Sequence, residues 1–529
     1  MTSTRAGTEK TKKGKEEEEE EEEPVMEAAQ TTTYQSDCRL LKSILFALST
    51  VINVTSNQVR LLRKENGWTN LVQLGGMELL ARFTFQTTVF NEGGAPAPAA
   101  AATTTTAASS LHAVPNKQMR RARSLCRSLL EILISLSSSC ACSLVSTGAI
   151  LIVLSEGTLM TRRVLSSIHA VGYVNDEDVK SFYSSMSSAS MTISERVLRW
   201  TDDDSSLVEW PMGIVEHLIE YMICTGMWTE MSELIHQSAA SKGGLLSETR
   251  QSLLQHCMEL METTVVRLYA GSGGRSASGS GSSGSGNCNC MEIPALVHEA
   301  LAQTGIKSLL HLVEALAESQ KVSDSKTTTC LGRKKSKTAP QFNRYVGSPI
   351  PFVGTALQSL RIMLNIAEHN INVLHTAASD TGIQNELYHV FAYLLEWCAL
   401  EIKVENDEIS QLLEHTIIMM GYYARGSTER QQSLHWGSHP TPLQRLCNLP
   451  FRFFSQEKDK NILFPTLISI CHQDVRNRSV VEDEISKEML YEFIDSRMKG
   501  DEDDAAHESF LIRFPKKLWK EALDFFMEV

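Results

Sequence analysis

The sequence predicts an all-α protein, on three observations. Apolar residues recur with a helical period in window after window, alternating β-branched runs are nearly absent, and proline or serine stands where the periodic windows begin. In "NELYHVFAYLLEWCAL", Leu387, Val390, Phe391, Leu394, Leu395 and Cys398 fall at i, +3, +4, +7, +8 and +11, which puts all six on one helical face. "EISQLLEHTIIMMGYY" repeats this with Ile409, Leu412, Leu413, Ile417 and Met420. Earlier windows do the same with Leu125, Leu129, Ile132, Leu133 and Leu136, with Ile214, Val215, Leu218, Ile219 and Met222, and with Leu253, Leu254, Cys257, Leu260 and Met261. Many medium-length helices on short connections, without the seven-residue repeat of a coiled coil, predict stacked helix pairs, an α-solenoid of armadillo or HEAT type. A compact helical bundle is the rival, because no clean repeat period is visible.

Taken in order, residues 1–35 are a charged tail in which "KTKKGK" precedes the acidic run Glu16 to Glu23, a composition expected to stay disordered. Residues 36–90 read as helical repeats, with Gly75-Gly76 as a helix C-cap turn. An Ala/Thr-rich linker follows at 91–117, then helical repeats at 118–270, where Pro211 suits a first helical turn and Ser247 an N-cap. Residues 271–290 are a Gly/Ser linker, 291–320 are helices opened by Pro294, and 321–345 are a polar, basic linker. Residues 346–498 carry the C-terminal helical repeats, and 499–529 an acidic spacer and a final helix begun at Pro515. The low-complexity stretches cannot bury enough apolar area to offset the entropy of ordering, and a stack tolerates them because loop-closure cost grows slowly with length.

The formal net charge of −13 says little about partners, because much of the acid sits in the tail. The twelve cysteines are scattered, and Cys126, Cys257, Cys398 and Cys471 lie in apolar windows, the pattern of a reducing compartment. The C-x-C pairs Cys140/Cys142 and Cys288/Cys290 lack the second pair that a zinc finger needs. No window approaches the roughly 18 apolar residues of a membrane span and no signal segment opens the chain, so the expectation is a cytoplasmic protein without a transmembrane segment. The "NVT" at Asn53 and "NRS" at Asn477 then carry no glycosylation.

Catalytic motifs are missing: there is no phosphate loop, nucleophile elbow, H-E-x-x-H or dinucleotide fingerprint. The expectation is a protein that is not an enzyme and takes no cofactor. His435 and His439 stand four apart, but Gly437 lies between them and Pro440 follows, so a helix-boundary corner is favoured over a shared metal. Basic clusters at Arg120, Arg121, Arg123 and Arg127, and at Arg333, Lys334, Lys335 and Lys337, support an alternative, an RNA-binding helical repeat protein or a ribosome contact. Ser348-Pro349 and Thr441-Pro442 are minimal proline-directed phosphorylation sites, and "RLL" at Arg60 fits a short cyclin-docking pattern that also reads as ordinary amphipathic helix.

The block "HPTPLQRLCNLPFRFFS" followed by "NILFPTLISIC", with "TALQSLRIMLN" upstream and "RFPKKLWKEALDFF" at the end, resembles the C-terminal region of the family of the S phase cyclin A-associated protein in the endoplasmic reticulum. These blocks occur in the family's order over roughly Phe352 to Phe526. The resemblance implies an armadillo-like module in a scaffold protein that binds cyclin A/cyclin-dependent kinase on the cytosolic face of the endoplasmic reticulum. It also implies an adaptor in tubulin autoregulation, linking a ribosome-associated tetratricopeptide adaptor to the deadenylase complex so that tubulin mRNA is degraded. The family's extended N-terminal part and Cys/His zinc-finger segment have no counterpart in this sequence. Within the matched block, Leu443, Leu446, Cys447 and Phe451 are expected to be buried, with Pro450 and Pro465 kinking helices. His439, Thr441, Gln444, Arg445 and Arg452 are the candidate partner-binding residues, with Gln444 and the two arginines pointing outward.

Overall fold

The computed structural model describes residues 134, 148–169, 177–199, 214–239, 245–273, 295–330, 348–349, 352–401, 406–437, 439–499, 510 and 513–527. Windows rich in Leu, Met, Ala and Glu, separated by Gly, Asn and Ser, fold here into helices. These are α1 (Ala149–His169), α2 (Glu177–Arg199), α3 (Ile214–Cys224), α4 (Met227–Ala239), α5 (Glu248–Gly273) and α6 (Ala295–Ala300). A π-helical turn (Leu301–Ile306) joins α6 to α7 (Lys307–Cys330). There follow α8 (Phe352–His369), α9 (Ile371–Ala377), α10 (Thr381–Glu401), α11 (Asp407–Ala424), α12 (Thr428–Ser433), α13 (Pro442–Cys447) and α14 (Arg452–Ser455). The last are α15 (Glu457–Cys471), α16 (Val475–Glu484), α17 (Lys487–Lys499), a 3-10 turn (Lys516–Leu518) and α18 (Trp519–Met527). The only extended pairing among the described residues joins β1 (Leu245–Leu246) antiparallel to β2 (Ser348–Pro349), Leu246 opposite Ser348. The protein is all-α, as the periodicity predicts.

The helices pack in two rows. In one, α2, α5, α8, α11 and α15 each lie against the next; in the other, α1, α4, α7, α10, α13 and α16 do the same. Rungs join the rows at α1/α2, α4/α5, α7/α8, α10/α11 and α15/α16. The short helices α3, α6 with its π turn and α9 each precede one rung, giving a short–long–long rhythm from α3 to α11, which the short α13 and α14 interrupt after α12. The six predicted apolar positions of α10 and the five of α11 are all buried, as are Leu253, Leu254, Cys257, Leu260 and Met261 of α5. The window at Leu125 to Leu136, the tail, Gly75-Gly76 and the Ala/Thr linker lie outside the described residues.

Two linker boundaries need correction. α7 runs to Cys330, well into the segment expected to be a basic linker, because polarity does not break a helix and Gly and Pro are absent from Lys307 to Cys330. α5 extends to Gly273, three residues into the Gly/Ser segment. Other local readings agree: Ser247 accepts the first backbone bonds of α5, from Arg250 and Gln251, and Pro515 stands as the N-cap of the 3-10 turn. Pro465 is tolerated inside α15, whereas Pro450 falls between helices rather than kinking one.

Close helix crossings use one device twice. At α1/α2 the Ser190 hydroxyl donates to the Val153 carbonyl (2.8 Å) and its Oγ occupies the space a Cβ on Gly157 would need. At α11/α15 the Thr466 hydroxyl donates to the Ile417 carbonyl (2.9 Å), and a Cβ on Gly421 would lie 2.8 Å from Thr466 Oγ1. In both pairs the accepting carbonyl lies four residues before the glycine, so the missing side chain lets a hydroxyl reach a backbone that is already helical. A buried polar cluster anchors α12. Gln431 donates to the Ser469 and His472 carbonyls (both 2.9 Å), and Asn477 donates to the carbonyls of Gln431 (2.9 Å) and Ile470 (3.2 Å). The asparagine of "NRS" is therefore fully buried and its amide engaged.

On these contacts, Gly421→Ala is expected to destabilise the protein by about 1–3 kcal/mol, since the added methyl meets Thr466 and overpacks the crossing. Gly354→Ala on α8, with nothing within 4 Å, is expected to be neutral or stabilising; urea unfolding of both variants checks the pair. A second expectation concerns His375 of α9, whose Nε2 lies 3.0 Å from the Tyr422 carbonyl and must carry the proton to donate. Burial is the main cause that lowers its pKa to about 4, with Arg430 and Arg425 adding to it. The folded pKa lies below the unfolded value of about 6.5, so on acidification the unfolded chain takes the proton first. This contribution to stability is complete above about pH 6.5 and is lost as pH falls toward 4. Melting curves from pH 7 to 4.5 should fall less steeply for His375→Gln than for the wild type.

Candidate functional site: the proline corner after α12

The segment from His435 to Gln456 holds the predicted site residues, and local chemistry dictates its path. α12 stops at Ser433, and Gly437 takes φ +90°, a conformation that favours glycine. A Cβ at Gly437 would also collide with the Tyr388 hydroxyl, which donates to the Trp436 carbonyl (2.8 Å). The His439–Pro440 peptide is cis. Thr441 then starts α13 with a capping box: its Oγ1 accepts from the Gln444 backbone N–H (3.4 Å), and Gln444 Oε1 accepts from the Thr441 N–H (3.0 Å). His439 Nδ1 lies 2.8 Å from the same Gln444 oxygen. His435 and His439 therefore flank a glycine turn rather than sharing one helix, as the sequence predicts.

His439, Thr441, Gln444 and Arg445 meet in this corner while Arg452 lies beyond it in α14, and several are held differently from expectation. Thr441 is fully buried, so it offers a partner no surface and its hydroxyl, fixed in the cap, is not presented to a kinase in the folded protein. Arg445 does not project outward; its Nε donates to the Pro440 carbonyl (3.1 Å) and its guanidinium pairs with Glu396 of α10 at 2.8 Å. Arg452 lies 3.4 Å from the buried carboxylate of Asp459 and over the Phe453 ring. The surface-active members are ones that periodicity misplaces. Phe451, expected in the core, is 80% exposed, while its neighbour Phe453 is fully buried. α13 ends at Cys447, so the helical phase that would have turned Phe451 inward does not continue to it. Trp436 is half exposed, and Leu443, Leu446 and Cys447 are buried as predicted.

A second cluster, missed by sequence reading, lies in the same row of helices. His311 and Glu314 of α7 share a face at i, i+3 with Glu386 of α10, and one ligand atom from each lies within 4.8 Å of the others. His311 Nδ1 approaches Glu386 Oε2 to 2.9 Å, and the His236 ring of α4 stands edge-on to His311 with centroids 5.1 Å apart. Burial, reinforced by the charge of Glu314, pushes the Glu386 carboxyl up to about 7; burial and His236 lower His311. Lys307 pairs with Asp380 at its edge (3.5 Å). The signal available in the sequence was H-x-x-E at 311–314, but Glu386 lies too far along the chain to be joined to it by spacing.

The remaining candidates are unevenly placed. Ser348 lies in β2; Arg60, Arg120 to Arg127, and Arg333 to Lys337 lie outside the described residues. Among the described residues no helix is long and apolar enough to cross a membrane.

Fold and corner together define a class: an all-helical protein of row-stacked helices. Compared with known proteins, the chain is similar to the S phase cyclin A-associated protein in the endoplasmic reticulum of Homo sapiens, with 28% identity over 190 residues, covering 33% of this chain and 13% of the human protein. That places the two in a distant relationship, and the matched region is a small part of the human protein's length. No family model matches the chain.

The corner yields a paired test. Leu446→Ala is expected to cost about 2–5 kcal/mol, as buried leucine truncations do. Phe451→Ala, at an 80% exposed position, should stay within about 0.5 kcal/mol of wild type by denaturant unfolding.

Proposed function

We propose that this protein is a non-enzymatic scaffold, an armadillo-like α-solenoid that presents the turn after α12 to another protein. The observation that carries the reading is the pair of continuous helix rows joined by rungs, the arrangement by which stacked repeats create long binding ridges. The distant human relative is named for association with cyclin A and with the endoplasmic reticulum, and this supports a cyclin A-containing complex as partner and a peripheral place on that membrane. Roles in cell-cycle control and in ribosome-linked tubulin mRNA decay, through the tetratricopeptide adaptor and the deadenylase complex, are the finer part of the proposal and rest on the sequence resemblance.

Within the corner, the contact is assigned to exposed Trp436 and Phe451, aromatic side chains of the kind that anchor interfaces. His439, Gln444, Arg445 and Arg452 form its polar support. Purified protein mixed with cyclin A and its kinase, with and without nuclease and at two salt concentrations, tests the reading. Nuclease-insensitive co-precipitation, weakened at least tenfold by Trp436→Ser with Phe451→Ser while melting is unchanged, is the expected result. Nuclease-sensitive, steeply salt-dependent retention would instead favour RNA binding through the basic clusters.

A further inference from the structure

We propose that His311, Glu314 and Glu386 bind a zinc ion that ties α7 to α10, successive helices of one row. The sequence carries no expectation of a metal, and the argument is geometric. His311 and Glu314 project from one face of α7, Glu386 reaches the same point from α10, and the His236 ring of α4 stands edge-on to His311. His311 Nδ1 and Glu386 Oε2 are 2.9 Å apart, and one ligand atom of Glu314 lies within 4.8 Å of both, so small side-chain shifts bring all three onto one ion.

That contact is not a hydrogen bond. Glu386 Oε2 is buried and has no hydrogen-bond partner, so the Nδ1 axis of His311 does not point at it. Two Lewis-basic atoms facing a common space without satisfying one another is what a missing cation leaves. Lys307 pairs with Asp380 at the rim and reaches Glu386 through its field, not through a contact. An imidazole with two carboxylates suits zinc with its fourth position open, whereas calcium and magnesium favour all-oxygen sets. Side-chain exposures of 23% for His311 and 18% for Glu386 leave a route for the ion to enter.

The test uses the full chain, stripped with a chelator and titrated with zinc chloride against a chromophoric competitor, with melting followed in parallel. Wild type is expected to bind zinc and to melt several degrees higher with it. Glu314→Gln with Glu386→Gln should lose one equivalent, or weaken it at least tenfold, and zinc should no longer raise its melting temperature through this site. In chelator the double variant should melt at or above wild type, because two facing carboxylates have been neutralised. A purely structural Glu386–His311 pair gives the opposite: the double variant melts lower in chelator and zinc has no effect on wild type, which overturns the proposal. Unchanged stoichiometry and affinity in the variant also overturn it. Should the variant fail to fold, cobalt binding to wild type decides: ligand-field bands without a thiolate charge-transfer band support this nitrogen and oxygen site, and a spectrum carrying only thiolate character excludes it.

Discussion

Everything in this structure depends on each long helix being enclosed from several sides. A helix inside a row has a neighbour before it, a neighbour after it and a third across the rung, so one apolar stripe is not enough. α11 shows the result: besides its five predicted positions, Thr416, Met419, Gly421, Tyr422, Tyr423 and Ala424 are also buried. Enclosure of that kind requires polar groups inside to be satisfied locally. Thr416, Ser359, Thr161, Thr264 and Ser194 each turn back to the carbonyl four residues earlier, and Ser190 and Thr466 reach across to the next helix instead.

The same enclosure explains the cysteines. Cys257, Cys398, Cys447 and Cys471 are buried, and burial pushes the thiols of Cys398 and Cys447 up to about 12, far from the thiolate needed for reaction or metal binding. They act as small apolar residues that fill space between helices. Charged groups meet between successive helices of one row: His311, Glu314 and Glu386 join α7 to α10, and the Arg445–Glu396 pair ties α13 to α10.

Legibility from sequence followed the range of the interactions. Leu387 to Cys398 and Ile409 to Met420 were readable because a helical face is written in local spacing. The corner was readable as a turn because Gly437 and Pro440 constrain the backbone directly. What faces outward at that turn was not readable: Phe451 looks like core by composition, and only the end of α13 at Cys447 turns it to solvent. Arg445 and Arg452 look like exposed charges, and only the tertiary position of Glu396 and the capture of Asp459 pin them. The reach of α7 to Cys330 was hidden because polarity was taken for irregularity. The π turn at Leu301–Ile306 left no separate signal beyond Gly305, where a Cβ would lie 3.1 Å from the buried Trp228 ring.

The spacing of contacts along the rows has a kinetic meaning. Each helix meets its own rung and the units directly before and after it, so most of the loops that must close during folding are short and cheap in entropy. Contacts between neighbours in sequence can then form before any that join distant parts of the chain. Opening follows the same logic in reverse. The terminal pair α17 and α18, held through one set of neighbours, can exchange its amides by separating a single interface, while the amides of α8 and α11, gripped from both directions, wait for a much larger rupture.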